Sequence, residues 1–105
     1  MTQEYILCAA VWYKDIPVQK FIEHNVLPIN CDRGLVFCGY RHGHCMYTMV
    51  SVTGLRSVET EVGEYIQGFL TSKNRFVDRE EGAKIHIANG HKIDFENRLF
   101  SEDLY

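Results

Sequence analysis

Basic charge is scarce in this 105-residue chain: eleven Lys and Arg stand against fourteen Asp and Glu, a formal net charge of −3 with a pI near 5.9. That balance disfavours a duplex-DNA binder, because neutralising backbone phosphates with Lys and Arg supplies most non-specific affinity. A small phosphate ligand needs only two or three local cations, and six of the eleven here are arginine, a tilt toward fork-like recognition. No stretch is long or apolar enough to cross a membrane. The early apolar run in MTQEYILCAAVWYKD has no basic region ahead of it and meets Lys14 and Asp15 at once, which argues against a secretory leader and for a cytoplasmic protein. The cysteines, Cys8, Cys31, Cys38 and Cys45, include no C-x-x-C pair, so buried free thiols in a reducing compartment fit them better than disulfides. Internal repeats and low-complexity segments are absent as well.

What is present reads as one folded domain over residues 1–105. Hydrophobic content of 46% with 24% charge is ordinary for a soluble fold, and the length allows a single core but hardly a deep pocket, so a ligand site could require a second subunit. Residues 68–91 carry the clearest local signals. Tyr65, Ile66, Phe69 and Leu70 lead into a polar turn at Ser72, Lys73 and Asn74, and Phe76 and Val77 return as a second strand. Asp78 then suits a helix N-cap, with Glu81 at the reciprocal capping-box position and Gly90 as the stop.

Elsewhere, residues 4–13 are apolar on both alternating faces, as in a central strand covered on each side. Residues 18–29 read as a connection with one helical turn. Residues 35–40 read as a second buried strand, in which Gly39 marks a bulge or a close backbone approach. Cys45, Met46, Met49, Val50 and Thr53 predict a short helix ending near Gly54. Residues 57–63 read as an acidic surface loop, and the apolar tail of residues 93–105 is expected to dock on the body or on a neighbour. The expected class is α+β: a small antiparallel sheet with a hairpin-to-helix unit and one or two further short helices packed on it.

The segment Cys38, Arg41, His42, His44 and Cys45 admits several chemistries. Four zinc-type side chains fall within eight residues, but a closed zinc site draws two knuckles from separate parts of a chain, and no second pair is evident. Arg-His-Gly after an apolar strand also resembles the histidine phosphatase signature, whose domain is much longer. A Cys45 nucleophile with His42 or His44 lacks an orienting acid. Recognition without chemistry competes evenly with a structural role for the histidines: Arg41 grips phosphate while His42 or His44 bonds a base or ribose. Arg75, Phe76 and Arg79 at the strand-to-helix junction offer an aromatic face and guanidinium forks beside free N–H groups. Arg98 and Ser101 are the polar candidates of the tail.

Taken in order, ILCAAVWYK, GYRHGHC, GFLTSKNRFVDREEGAKI and LFSEDLY resemble the small phage-encoded anti-Thoeris sponge proteins, along most of the chain. The resemblance implies sequestration, without cleavage, of cyclic ADP-ribose isomers such as glyco-cyclic ADP-ribose, and of cyclic oligonucleotides in some members. It implies no cofactor, no metal and a homo-oligomer, a symmetric dimer or hexamer. It would set Phe69, Leu70, Thr71, Asn74, Arg75 and Phe76 near adenine and ribose, Arg79 at phosphate, and Arg41 and Arg98 at the remaining phosphate contacts. His86 and His91 depart from the small residue and Gln more usual there, which leaves a different ligand preference open. The alternatives are a small nucleotide phosphodiesterase or hydrolase, with Asp78, Glu80 and Glu81 as imagined metal ligands, and a protein-interaction module without a small ligand.

Overall fold

The computed structural model describes residues 3–16, 27–95 and 97–104. Strand β1 (Ile6–Tyr13) is followed by β2 (Leu35–Gly39), helix α1 (His42–Thr53), the single turn α2 (Glu59–Val62), β3 (Tyr65–Thr71), β4 (Phe76–Asp78) and helix α3 (Arg79–Ala88), and a 3-10 turn covers Ser101–Asp103. The strands form one antiparallel sheet in the order β2-β1-β3-β4. This is the α+β class, with β1 in the interior of the sheet as its two apolar faces require.

Ala9, Val11 and Tyr13 of β1 face α1 and pack with Cys45, Met49 and Val62. On the same side of the sheet, further along, Phe69 and Val77 pack with Ala83 and Ile85 of α3 and with Leu99 of the tail. The opposite face carries Ala10 and Phe76 beneath Leu27 and Cys31, flanked by Trp12, Val36, Ile66 and Leu70. The apolar tail therefore docks on the body, with Leu99 and Ser101 both buried.

The hairpin-to-helix unit forms as its residues dictate. Asp78 Oδ1 accepts from the Glu81 N–H at 2.8 Å and caps α3. The reciprocal capping-box bond is absent among the described residues, because the Glu81 carboxylate turns toward Arg75, 3.9 Å away. Helix α1 contains the expected residues 45–53 but begins three residues earlier, at His42. It ends at Gly54, whose φ of 75° lets its N–H reach Val50 O. Gly39 is a close approach: a Cβ there would come within 3.3 Å of Cys45 N at the start of α1.

Several expectations are corrected. Residues 35–39 form an edge strand, half-buried for the most part, because β1 already has β3 on its other side. The acidic segment around Glu59 forms a helical turn that sinks Val62 into the core. Cys31 and Cys45 are buried, but Cys38 is exposed and Cys8 only half-buried. The expected turn in residues 18–29 falls mostly outside the described residues.

Candidate functional site

The tail segment Arg98–Ser101 lies between the first residues of α1 and α3 and ties them together. Leu99 N donates to Arg79 O at 2.9 Å, and Arg79 Nη1 donates to Leu99 O at 2.9 Å. Arg41, just ahead of α1, donates through Nη1 to Ser101 O and sets its guanidinium over the Tyr40 ring. The aromatic ring of Phe100 then faces two cations, with Arg79 Cζ 4.4 Å and Arg98 Cζ 5.8 Å from its centroid.

Arg79 is the most committed of these groups. Besides Leu99 O, its Nη2 donates to Gln67 Oε1 at 2.9 Å and approaches His42 Nδ1 at 3.4 Å. Burial, followed by repulsion from Arg98, lowers its pKa, although a guanidinium remains charged at neutral pH. His42 is buried edge-on against Phe69, and its Nε2 lies 2.7 Å from Gly68 O. A carbonyl only accepts, so Nε2 carries the proton and Nδ1 offers its lone pair toward Arg79. Burial holds the His42 pKa below its ordinary value and keeps the ring neutral, with Arg79 adding to the effect.

Beside this cluster opens a groove of about 670 Å³. Its floor is Tyr65, Ile66 and Gln67, and its walls are the start of α3 (Asp78, Arg79, Glu80) and the tail (Arg98, Phe100). The groove exists because β4 is short: its ladder with β3 ends at Gly68 opposite Asp78, where the chain turns into α3 and leaves residues 65–67 without a partner strand on that side among the described residues. The volume falls within the range of small-molecule sites. Arg98 is exposed; its backbone N–H donates to Phe95 O, but its guanidinium makes no hydrogen bond or ion pair among the described residues and can turn its fork to an anion. Glu80 adds an exposed carboxylate able to accept from hydroxyl or amino groups.

Of the candidate residues, the fold brings together Arg41, His42, Arg79, Arg98 and Ser101. His44 lies nearby on the exposed side of α1, its ring 6.1 Å from Tyr40. The hairpin residues lie elsewhere. Phe69 is fully buried, and Leu70 and Phe76 belong to the opposite face of the sheet. Thr71 is buried, donates to Glu4 at 2.6 Å and accepts from the backbone of Lys73 and Arg75. Asn74 holds the turn with a φ of 57°. Arg75 grips the Glu4 carboxylate with two bonds of 2.8 and 2.7 Å. None of these six lines the groove.

Cys45 donates to Ala9 O and Arg41 O, and burial pushes its thiol up to about 11, so it is not paired with either nearby histidine. Among the described residues, no three His, Cys, Asp or Glu side chains are grouped to hold a metal ion. Sequence reasoning missed Tyr65, Ile66 and Gln67. Gln67 carried a usable signal, a polar residue on the strand face otherwise occupied by Tyr65 and Phe69.

These features define a small α+β domain in which the start of α3, strand β3 and a docked tail frame an open groove rimmed by Arg79 and Arg98. The model of the Phage T4 y16D protein family matches residues 5–105, and the chain belongs to that family and is a phage protein. No curated protein and no solved structure matches it.

Proposed function

We propose that the groove binds a cyclic ADP-ribose-type nucleotide and sequesters it without turnover, antagonising a bacterial anti-phage defence from within the host cytoplasm. The observation that carries this reading is Arg98, exposed and without a hydrogen bond or ion pair to its guanidinium among the described residues, beside the fixed Arg79 and Phe100 at the mouth of a groove large enough for a nucleotide. Arg98 would grip phosphate, and Phe100 and Tyr65 supply aromatic surface to a base. Glu80 would accept from a ribose hydroxyl. The groove is open on one side, so a symmetric second subunit would be needed to close over the ligand. Outcompeting a receptor takes nanomolar affinity, about 12 kcal/mol, and hence burial of most of the ligand.

A second reading rests on the edge of β3 at residues 65–67, which has no partner strand on the β4 side among the described residues and presents backbone donors and acceptors to which an extended peptide could add a strand. One experiment separates the two. The purified protein is incubated with cyclic ADP-ribose isomers and cyclic oligonucleotides, denatured, and the released nucleotide is analysed by chromatography. Intact nucleotide recovered only after denaturation, and lost in Arg98→Ala, is the expected result. A converted product makes the protein an enzyme; nucleotide left free throughout sinks the sequestration reading and favours the peptide edge.

A further inference from the structure

We propose that Gln67 is a specificity-determining residue of the groove: its side-chain amide, locked with the oxygen toward Arg79, presents its N–H groups to a phosphate oxygen of the ligand. That the phosphate belongs to a nucleotide rests on the sequestration reading; the direction of the amide rests on the hydrogen bonds around it.

The locking starts at a backbone carbonyl. Gly68 O can only accept, so the proton of His42 sits on Nε2, 2.7 Å away, and His42 Nδ1 is left as an acceptor. A guanidinium can only donate. The two hydrogens on Arg79 Nη2 therefore serve His42 Nδ1 at 3.4 Å and the Gln67 side chain at 2.9 Å, and the atom of Gln67 that receives one is Oε1. Turning the amide over would set its N–H groups against the guanidinium, donor against donor, so the network chooses one orientation.

The free end of the amide is then Nε2, which has no hydrogen-bond partner among the described residues. Among those residues no buried side-chain nitrogen or oxygen lacks a partner, so Nε2 is open to solvent, and the cavity that Gln67 lines is the groove. Three features make a phosphate its fitting ligand. Glutamine reads adenine with its oxygen and nitrogen together, and here the oxygen is already taken. The bond from a cation to Oε1 polarises the amide and strengthens its N–H groups as donors, so the charge of the buried Arg79 is passed on toward the groove. Arg98 lines the same groove with an unbonded guanidinium, whereas the carboxylates of Asp78 and Glu80 on the α3 wall repel an anion, which leaves the side bounded by Gln67 and Arg98 to hold it.

The test combines one variant with a direct probe of the wild type. In Gln67→Glu a carboxylate oxygen keeps the bond to Arg79 as an ion pair, so the brace survives while the two N–H donors are replaced by a charged acceptor. The thermal midpoint should hold or rise, and affinity for a cyclic ADP-ribose isomer should fall roughly tenfold or more. In the wild type, the Gln67 side-chain N–H2 resonances are followed by nitrogen-15 NMR during titration with the same nucleotide and, separately, with inorganic pyrophosphate. A saturable downfield shift with both is expected, and this measurement decides the matter even if the variant fails to fold. Nucleotide binding that leaves the Gln67 resonances in place, with full affinity in Gln67→Glu, overturns the role of Gln67 and spares the sequestration reading. A shift with pyrophosphate and no binding of any nucleotide does the reverse: Gln67 stands as an anion donor and the sequestration reading falls. Resonances that respond to neither ligand overturn the proposal.

Discussion

At the scale of single residues, the arginines divide by how much of each guanidinium is already spoken for. Arg75 is bound twice by Glu4, and Arg79 is held by Leu99, Gln67 and Phe100, so both act chiefly as braces. The Glu4 brace has a pH signature. Its hydrogen bond from Arg75, with a further bond from Thr71, lowers the carboxyl pKa to about 2. A depressed carboxyl contributes stability above its unfolded value, near 4.3, and loses it as pH falls toward the folded value. Glu4→Gln is therefore expected to cost about 1–2 kcal/mol at pH 7, the pair being partly exposed. The gap to wild type should narrow between pH 4.5 and about 2. Urea unfolding at pH 7, 4 and 3 measures this, and a gap that stays constant over that range refutes the assignment.

At the scale of elements, the hairpin-to-helix unit was legible because its signals are local. A polar turn, an N-cap and a terminal glycine act within a few residues of where they stand, and no distant contact opposes them. The edge position of β2 was not legible, since Leu35–Gly39 is apolar enough for an interior strand and only the pairing of β1 with β3 puts it outside. The same limit applies to the site. Gly-Phe-Leu-Thr-Ser-Lys-Asn-Arg-Phe offered aromatic and cationic groups in a row, but strand alternation sends Phe69 and Phe76 to opposite faces, and Arg75 is taken by a residue 71 positions away. The cap is the testable part. Asp78→Ala removes the acceptor for the Glu81 N–H and should destabilise the protein by about 1 kcal/mol. Asp78→Ser should recover most of that loss, and chemical denaturation showing all three proteins equal would remove the cap from the account of α3.

At the scale of the whole molecule, the groove is a product of the tail. Residues 98–101 close a wall against a floor more than thirty residues earlier in sequence, and they do so because Leu99 is fully buried between β3 and α3. Adjacent residues thus carry separate duties: Leu99 holds the wall in place, and Arg98 presents its charge from that wall. Leu99→Ala leaves a cavity in a closed cluster and should cost about 2–5 kcal/mol, lowering the thermal midpoint together with any binding. Arg98→Ala removes an exposed cation whose side chain, among the described residues, has only a distant ring contact with Phe100, so stability should stay within about 0.5 kcal/mol. Loss of a charge-assisted phosphate contact should meanwhile weaken nucleotide binding by roughly tenfold or more. Thermal melts and equilibrium binding on the two variants separate the roles. If Arg98→Ala binds like wild type while Leu99→Ala loses binding in step with stability, the tail is a structural wall alone and the anion site lies elsewhere on the molecule.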